Sequence, residues 1–134
     1  MSSSDPKEVS FRWNAVCIDC APTDYDSEVG FYRDLLGTEV AEREERWAAL
    51  REPQSGMWLN IQAEDGYLPP VWPEDGSAQA KMMHFEVRVS DVESAVSRAT
   101  SFGAREARWQ PPDRDASRLR VMLDPAGHPF CLWS

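Results

Sequence analysis

His84 and Glu86 stand two positions apart in the run HFEVRV, where polar and apolar side chains alternate. Residues i and i+2 of a β-strand share a face, so the imidazole and the carboxylate project side by side, with Arg88 next along. Such a pair can pass a proton as acid and base, or supply two ligands of a divalent ion. A carboxylate partly desolvated among aromatic rings has a raised pKa, which brings its proton transfer towards neutral pH. Cys131 adds a soft donor if its strand lies near that of His84. The plainer alternative is a hydrogen-bonded histidine and carboxylate with no ion.

The other candidates for chemistry are weaker. Cys17 and Cys20 form a C-x-x-C inside a strand-like run. Positions three apart on a strand face opposite ways, whereas redox pairs gain a lowered thiol pKa at a helix N-terminus. They read as buried structural thiols, and an odd count of three cysteines does not make a disulfide framework. His128, between Gly127 and Pro129, reads as a turn histidine that holds the backbone.

These residues need elements to position them, and the spacing supplies two copies of one unit. After HFEVRV, Ser90 offers an N-cap with Glu93 three residues later. Val92, Ala95, Val96, Ala99 and Phe102 then recur at helical spacing until Gly103. Earlier, the strand-like run 15–20 leads to Asp24 as a cap, a helix carrying Val29, Tyr32, Leu35 and Leu36, and Gly37. Asp24 to Ser90 and Gly37 to Gly103 are both offsets of 66, which predicts an internal duplication. In the first copy, residues 11–62, strands at 11–20, 38–42, 47–51 and 57–62 give the order strand, helix, three strands. Residues 82–134 repeat it with strands at 82–89, 104–109, 119–124 and 130–133. At 134 residues, 42% of them apolar, the chain suits a single domain, 1–134, with one core.

Residues 63–81, AEDGYLPPVWPEDGSAQAK, are too rich in proline and glycine for regular structure. Tyr67, Leu68, Val71 and Trp72 are too apolar for a solvated tether. The segment is therefore a lid over a pocket or packs against the outside of a sheet.

A net charge of −9 argues against nucleic acid or an anionic membrane as a partner. No run of about 18 apolar residues predicts a spanning helix, and MSSSDPKEVS lacks the apolar centre of a signal peptide, so a cytoplasmic location is expected. The first ten residues are polar and expected to fray.

Strand parity predicts an inward face of Trp13, Cys17, Asp19, Trp47, Trp58, Asn60, Gln62, His84, Glu86, Arg88, Met122, Cys131 and Trp133. Val121, Leu123, Phe130 and Leu132 then point towards the helices. Several tryptophans with a few polar groups have the composition of a small-molecule pocket. The expected ligand-binding residues are Trp13, Trp47, Trp58, Gln62, Trp72, Arg88, Met122 and Trp133. The same tryptophans would otherwise fill the space between sheets or a dimer interface.

FYRDLLG at 31–37, PPVWPEDG at 69–76, HFEVRVSDVESAV at 84–96 and DPAGHPFCLW at 124–133 cover nearly the whole chain in order. They resemble the vicinal oxygen chelate superfamily, which includes glyoxalase I, extradiol dioxygenases and bleomycin-resistance proteins, and most of all its bacterial glyoxalase-like domains. The resemblance implies an α+β fold of two paired βαβββ modules, with mixed curved sheets around a central cleft. It also implies metal ligands on the inner face of the first and last strand of each module. Carried over, those positions are Ala15, Asn60 or Gln62, His84, and Cys131 where a glutamate often stands. Only His84 is an unambiguous ligand type, so the metal site is expected to be degenerate, with His84, Gln62 and Cys131 as its remaining candidates and no cofactor as the first expectation. Two functions follow: binding of an aromatic or hydrophobic small molecule, or a lyase, isomerase or dioxygenase using His84 and Glu86 as catalytic groups. The family commonly dimerises, so a homodimer is expected.

Overall fold

A computed structural model describes residues 9–134 of the protein. The fraying expected of the first ten residues falls mostly outside that range; Val9 and Ser10 are exposed. Strand β1 (Val16–Cys20) passes through a 3-10 turn at Pro22–Asp24 into helix α1 (Tyr25–Leu36). Strands β2 (Glu39–Arg43), β3 (Trp47–Arg51) and β4 (Trp58–Ala63) follow. After the linker come β5 (Phe85–Arg88), helix α2 (Val92–Ser101), β6 (Arg105–Glu106), β7 (Leu119–Leu123) and β8 (Pro129–Trp133).

Each half forms a four-stranded mixed sheet of the same topology, β1-β4-β3-β2 and β5-β8-β7-β6. The first strand runs parallel to the last, and the other neighbours are antiparallel. The fold is α+β, two βαβββ modules. Gly37 ends α1 at φ 63°, and Gly103, at φ 115°, follows the last residue of the α2 cap. Both are left-handed positions where a side chain would be strained.

The helix starts differ from the sequence reading. Asp24 makes no side-chain capping bond: the preceding 3-10 turn runs into the helix and leaves Asp24 in an αR conformation (φ −101°, ψ −1°) rather than the extended one of a capping residue. Asp91, rather than Ser90, caps α2, accepting the Ser94 N–H at 2.9 Å. Glu93 is thereby released from a capping box and pairs with Arg120.

Alternation on β4 buries Leu59, Ile61 and Ala63 and leaves Trp58, Asn60 and Gln62 half-buried. The buried row joins one core shared by both halves, with Phe31 and Tyr32 of α1 beside Met122, Phe130 and Leu132. Phe31 lies 5.6 Å from Phe130 and Tyr32 meets Phe85 edge-on at 5.7 Å, so α1 packs on the second sheet as well as on its own. Each such side chain contributes about 1.5–3 kcal/mol of burial. The helix-side faces of both sheets thus meet in a single interior, and their opposite faces are open in part, with Cys17, Asp19, Glu86 and Arg88 exposed but Ala49 and Val121 buried. The two sheets do not close around a cleft within one chain.

Two of the expected inward residues are corrected. β1 begins at Val16, so Trp13 stands before the strand and is 92% exposed. Met122 pairs in register with Phe130 and is 0% exposed, placing it in the shared core. Val121 and Leu123, expected on the helix side, instead stand opposite Cys131 and Pro129.

The linker is held to the second module. The Tyr67 hydroxyl donates to the Ala126 carbonyl at 2.9 Å, and Trp72 meets Trp109 edge-on at 5.8 Å. Lys81 caps the Trp72 ring at 4.5 Å and pairs with Glu74 at 2.7 Å.

Candidate functional site

The open face of the second sheet is set by parallel pairing of β5 with β8. Glu86 stands opposite Cys131, and Arg88 opposite Trp133. The Arg88 guanidinium lies 5.1 Å from the centre of the Trp133 ring, and His84 Nε2 is 3.7 Å from Glu86 Oε2. At that distance the two are not hydrogen-bonded, and a proton would pass between them only after a small shift or through a bridging water. The Glu86 side chain is 65% exposed, so the desolvation expected from the sequence is not provided within one chain. Burial pushes the Cys131 thiol up, and the nearby Glu86 charge adds to this while Lys81 and Arg114 oppose it. A neutral thiol is a poor soft ligand.

The first sheet presents a matching open face. Cys17 stands opposite Asn60, Asp19 opposite Gln62, and Trp47 also opposite Gln62. An open groove of about 490 Å³ runs along this end, with Trp47 as its wall and Arg46, Gln62, Glu64 and Asp65 around it. The Gln62 amide donates to Glu64, and Cys17 lies 3.9 Å from its carbonyl oxygen. The C-x-x-C is split by strand parity. Cys20 is buried, and desolvation first, then the charges of Glu28, Asp24, Asp124 and Asp19, push its thiol up to about 12. Cys17 is exposed, contrary to the expectation that both thiols are interior.

Of the expected ligand-binding residues, Trp47, Trp58 and Gln62 lie on the first open face and Arg88 and Trp133 on the second. Trp72 belongs to the linker, and Trp13 and Met122 lie on neither face. The carried-over metal positions are divided between the sheets: Ala15 has no side-chain donor, Gln62 lies on the first sheet, and Cys131 lies on the second, beside Glu86.

A second polar cluster escaped the sequence reading. Glu28 of α1, Asp124 at the end of β7 and His128 before β8 bring donor atoms within 4.8 Å of one another. Asp124 Oδ1 accepts the N–H groups of Ala126 at 3.0 Å and His128 at 2.9 Å, and Oδ2 accepts the Tyr32 hydroxyl at 2.7 Å. Glu28 Oε1 accepts the Ala126 N–H at 3.0 Å. His128 Nε2 is 2.6 Å from the Asp19 carbonyl, so that nitrogen carries the hydrogen and is not a free ligand. Burial and the adjacent carboxylates hold the Tyr32 phenol well above its usual range. The one sequence signal was Glu28 placed a helical turn before Tyr32, on a face that otherwise buries aromatic residues.

The profile of a family described as a glyoxalase-like domain matches residues 15–133. Among curated proteins there is no match. Among solved structures, an Arabidopsis thaliana gene product is similar at TM-score 0.68 and 16% identity, covering 93% of this chain and 100% of that one. A glyoxalase/bleomycin resistance protein/dioxygenase family enzyme from Burkholderia phytofirmans is similar at TM-score 0.63 and 17% identity, covering 89% and 94%. The fosfomycin resistance protein FosX of Listeria monocytogenes, in a mutant complexed with Mn(II) and dihydroxypropylphosphonic acid, is similar at TM-score 0.61 and 12% identity, covering 93% and 90%. Identities this low carry the fold alone.

Proposed function

The chain belongs to the glyoxalase-like domain family, and from that premise we propose that it binds an aromatic or hydrophobic small molecule against the tryptophans of its open sheet faces. The observation that carries this reading is the arrangement of the two faces. Each sheet turns its helix side into the shared core and offers half-buried tryptophans, Trp47 and Trp58 on one and Trp133 on the other. Indole rings give a ligand large apolar area and a π-face, and the Arg88 guanidinium over Trp133 adds an oriented donor set.

The proposal includes a homodimer. Two copies related by a two-fold axis bring the first open face of one to the second open face of the other, twice, and enclose the cleft that one chain leaves open. It includes a binding role without a tightly held divalent ion, because the donor set at the family's ligand positions is incomplete. A cytoplasmic location also belongs to it, supported by three free cysteines, one of them exposed. Among the described residues no helix is long and apolar enough to cross a membrane.

The test is tryptophan fluorescence titrated with a panel of aromatic and polycyclic compounds, with size measured by light scattering. A saturable quench in a dimeric species, weakened by Trp58→Ala or Trp133→Ala, supports the reading. A compact monomer whose fluorescence no compound changes would refute it.

The alternative is acid–base catalysis by His84 and Glu86, favoured by the 3.7 Å approach of their side chains. It predicts turnover that His84→Ala and Glu86→Gln abolish while ligand binding survives.

A further inference from the structure

Glu28 and Asp124 are both fully buried, and they belong to different modules. Glu28 sits in α1, and Asp124 opens the turn between β7 and β8. Written as two carboxylates, they form an unstable arrangement. Asp124 has donors on both oxygens: two backbone N–H groups on Oδ1 and the Tyr32 hydroxyl on Oδ2. Glu28 has one, the Ala126 N–H on Oε1, and its buried Oε2 has no donor at all. Carboxylate oxygens of the two lie within 4.8 Å of each other; two like charges that close in a dry interior repel, and an unpaired buried charge is costly. Among the described residues, no lysine or arginine bonds to either.

We propose that Glu28 and Asp124 share one proton, held on Glu28 and donated to Asp124, as a clasp that fastens the first module's helix to the second module's turn. A proton on Glu28 turns the carboxyl contact into a hydrogen bond, supplies the missing donor and leaves Asp124 ionised to hold the turn. The clasp joins segments far apart in the chain; Glu28 also accepts the N–H of Ala126, 98 positions away. It fixes how the helix sides of the two sheets meet, and so which faces remain open.

The surroundings act in the same direction. Burial first, then the charge and hydrogen bond of Asp124, push the Glu28 carboxyl far above its usual range, with the Ala126 N–H opposing. The titratable groups facing the pair are Asp24, Cys20, Tyr32, Tyr67 and His128, besides the two carboxyls themselves. The acids among them raise the carboxyl further. His128 is the one group that could bring a positive charge.

The sign of the pH dependence follows. Above the ordinary glutamate pKa the folded chain binds a proton that the unfolded chain has released, so stability falls as pH rises. The contribution is complete below that pKa and is lost progressively through neutral and alkaline pH. This is the reverse of a salt-bridged carboxylate.

Glu28→Gln separates the outcomes, because its amide donates the same bond without titrating. Wild-type protein is expected to lose about 5 °C or more of melting temperature between pH 6 and pH 9, and Glu28→Gln less than about 2 °C. The infrared carbonyl band of a neutral carboxylic acid should be present in the folded protein at neutral pH and absent from Glu28→Gln. Glu28→Ala, which removes the Glu28 donor and leaves a cavity beside Asp124, should melt lower than Glu28→Gln. An equal pH slope in wild type and Glu28→Gln, or no neutral-acid band in folded wild type, overturns the proposal. So does a saturable rise in melting temperature with zinc or manganese that Glu28→Gln abolishes, since the cluster would then hold a cation in place of the proton.

Discussion

Arg88 and Trp133 are register partners across the β5 and β8 pairing, and the guanidinium lies over the indole at 5.1 Å. A cation over an aromatic ring at an exposed site is worth about 0.5–1 kcal/mol. A guanidinium that also meets a bound aromatic ring would add a similar amount to affinity, so Arg88→Gln should weaken an aromatic ligand's Kd by about twofold to fivefold. Trp133→Ala, which also removes the ring, should weaken it by tenfold or more. Fluorescence titration distinguishes them; equal losses in both variants would mean that the arginine, not the ring, makes the contact.

Phe31 and Phe130 bring α1 of the first module onto the last strand of the second. Phe130→Ala should cost about 3–5 kcal/mol in urea denaturation, with one cooperative transition followed by both circular dichroism and fluorescence. Two separated transitions would mean that each module keeps its own core.

Arg120 is the buried hinge of another polar group, donating to Glu106 at 2.7 Å, to Glu93 and to the Ala116 carbonyl at 2.9 Å. Its carboxylate partners are each about half exposed or more, so either alone should be worth less than about 1 kcal/mol. Arg120→Ala removes the bonds to all three partners together and should cost about 2 kcal/mol. Glu93→Gln should change the urea midpoint little; a loss as large as that of Arg120→Ala would show that one pair carries the group.

Gly127 stands at φ 93°, and a Cβ there would meet Pro69 Cβ at 3.1 Å. Gly127→Ala should destabilise by about 1–3 kcal/mol through the backbone strain alone. It should also loosen the linker, which limited proteolysis near residues 69–81 would read. An unchanged melting temperature would show that the turn and the linker can both shift.

Zinc, nickel or manganese should give no saturable rise in melting temperature that depends on His84. An ion bound only by the folded state raises stability by RT ln(1 + [L]/Kd), about 2.7 kcal/mol at a hundredfold excess over Kd. A rise abolished by His84→Ala would place an ion on the second open face.

The sequence by itself determined what repeats within a continuous element. Alternation along β4 assigned Leu59 and Ile61 to one side and Trp58, Asn60 and Gln62 to the other. The left-handed glycines at 37 and 103 marked both helix ends, and the ordered motifs from Phe31 to Trp133 carried the fold. Tertiary structure decided what parity cannot pass across a turn. Met122 fell on the core side because its register partner is Phe130, and β1 stopped short of Trp13 because β4 pairs with it only from Val16. The meeting of Glu28 with Asp124 was likewise invisible, since no local period links residues in different modules. Nor could periodicity say which faces stay open, because that depends on α1 packing against both sheets, a contact set by the shape and burial of Phe31 and Tyr32 rather than by their spacing.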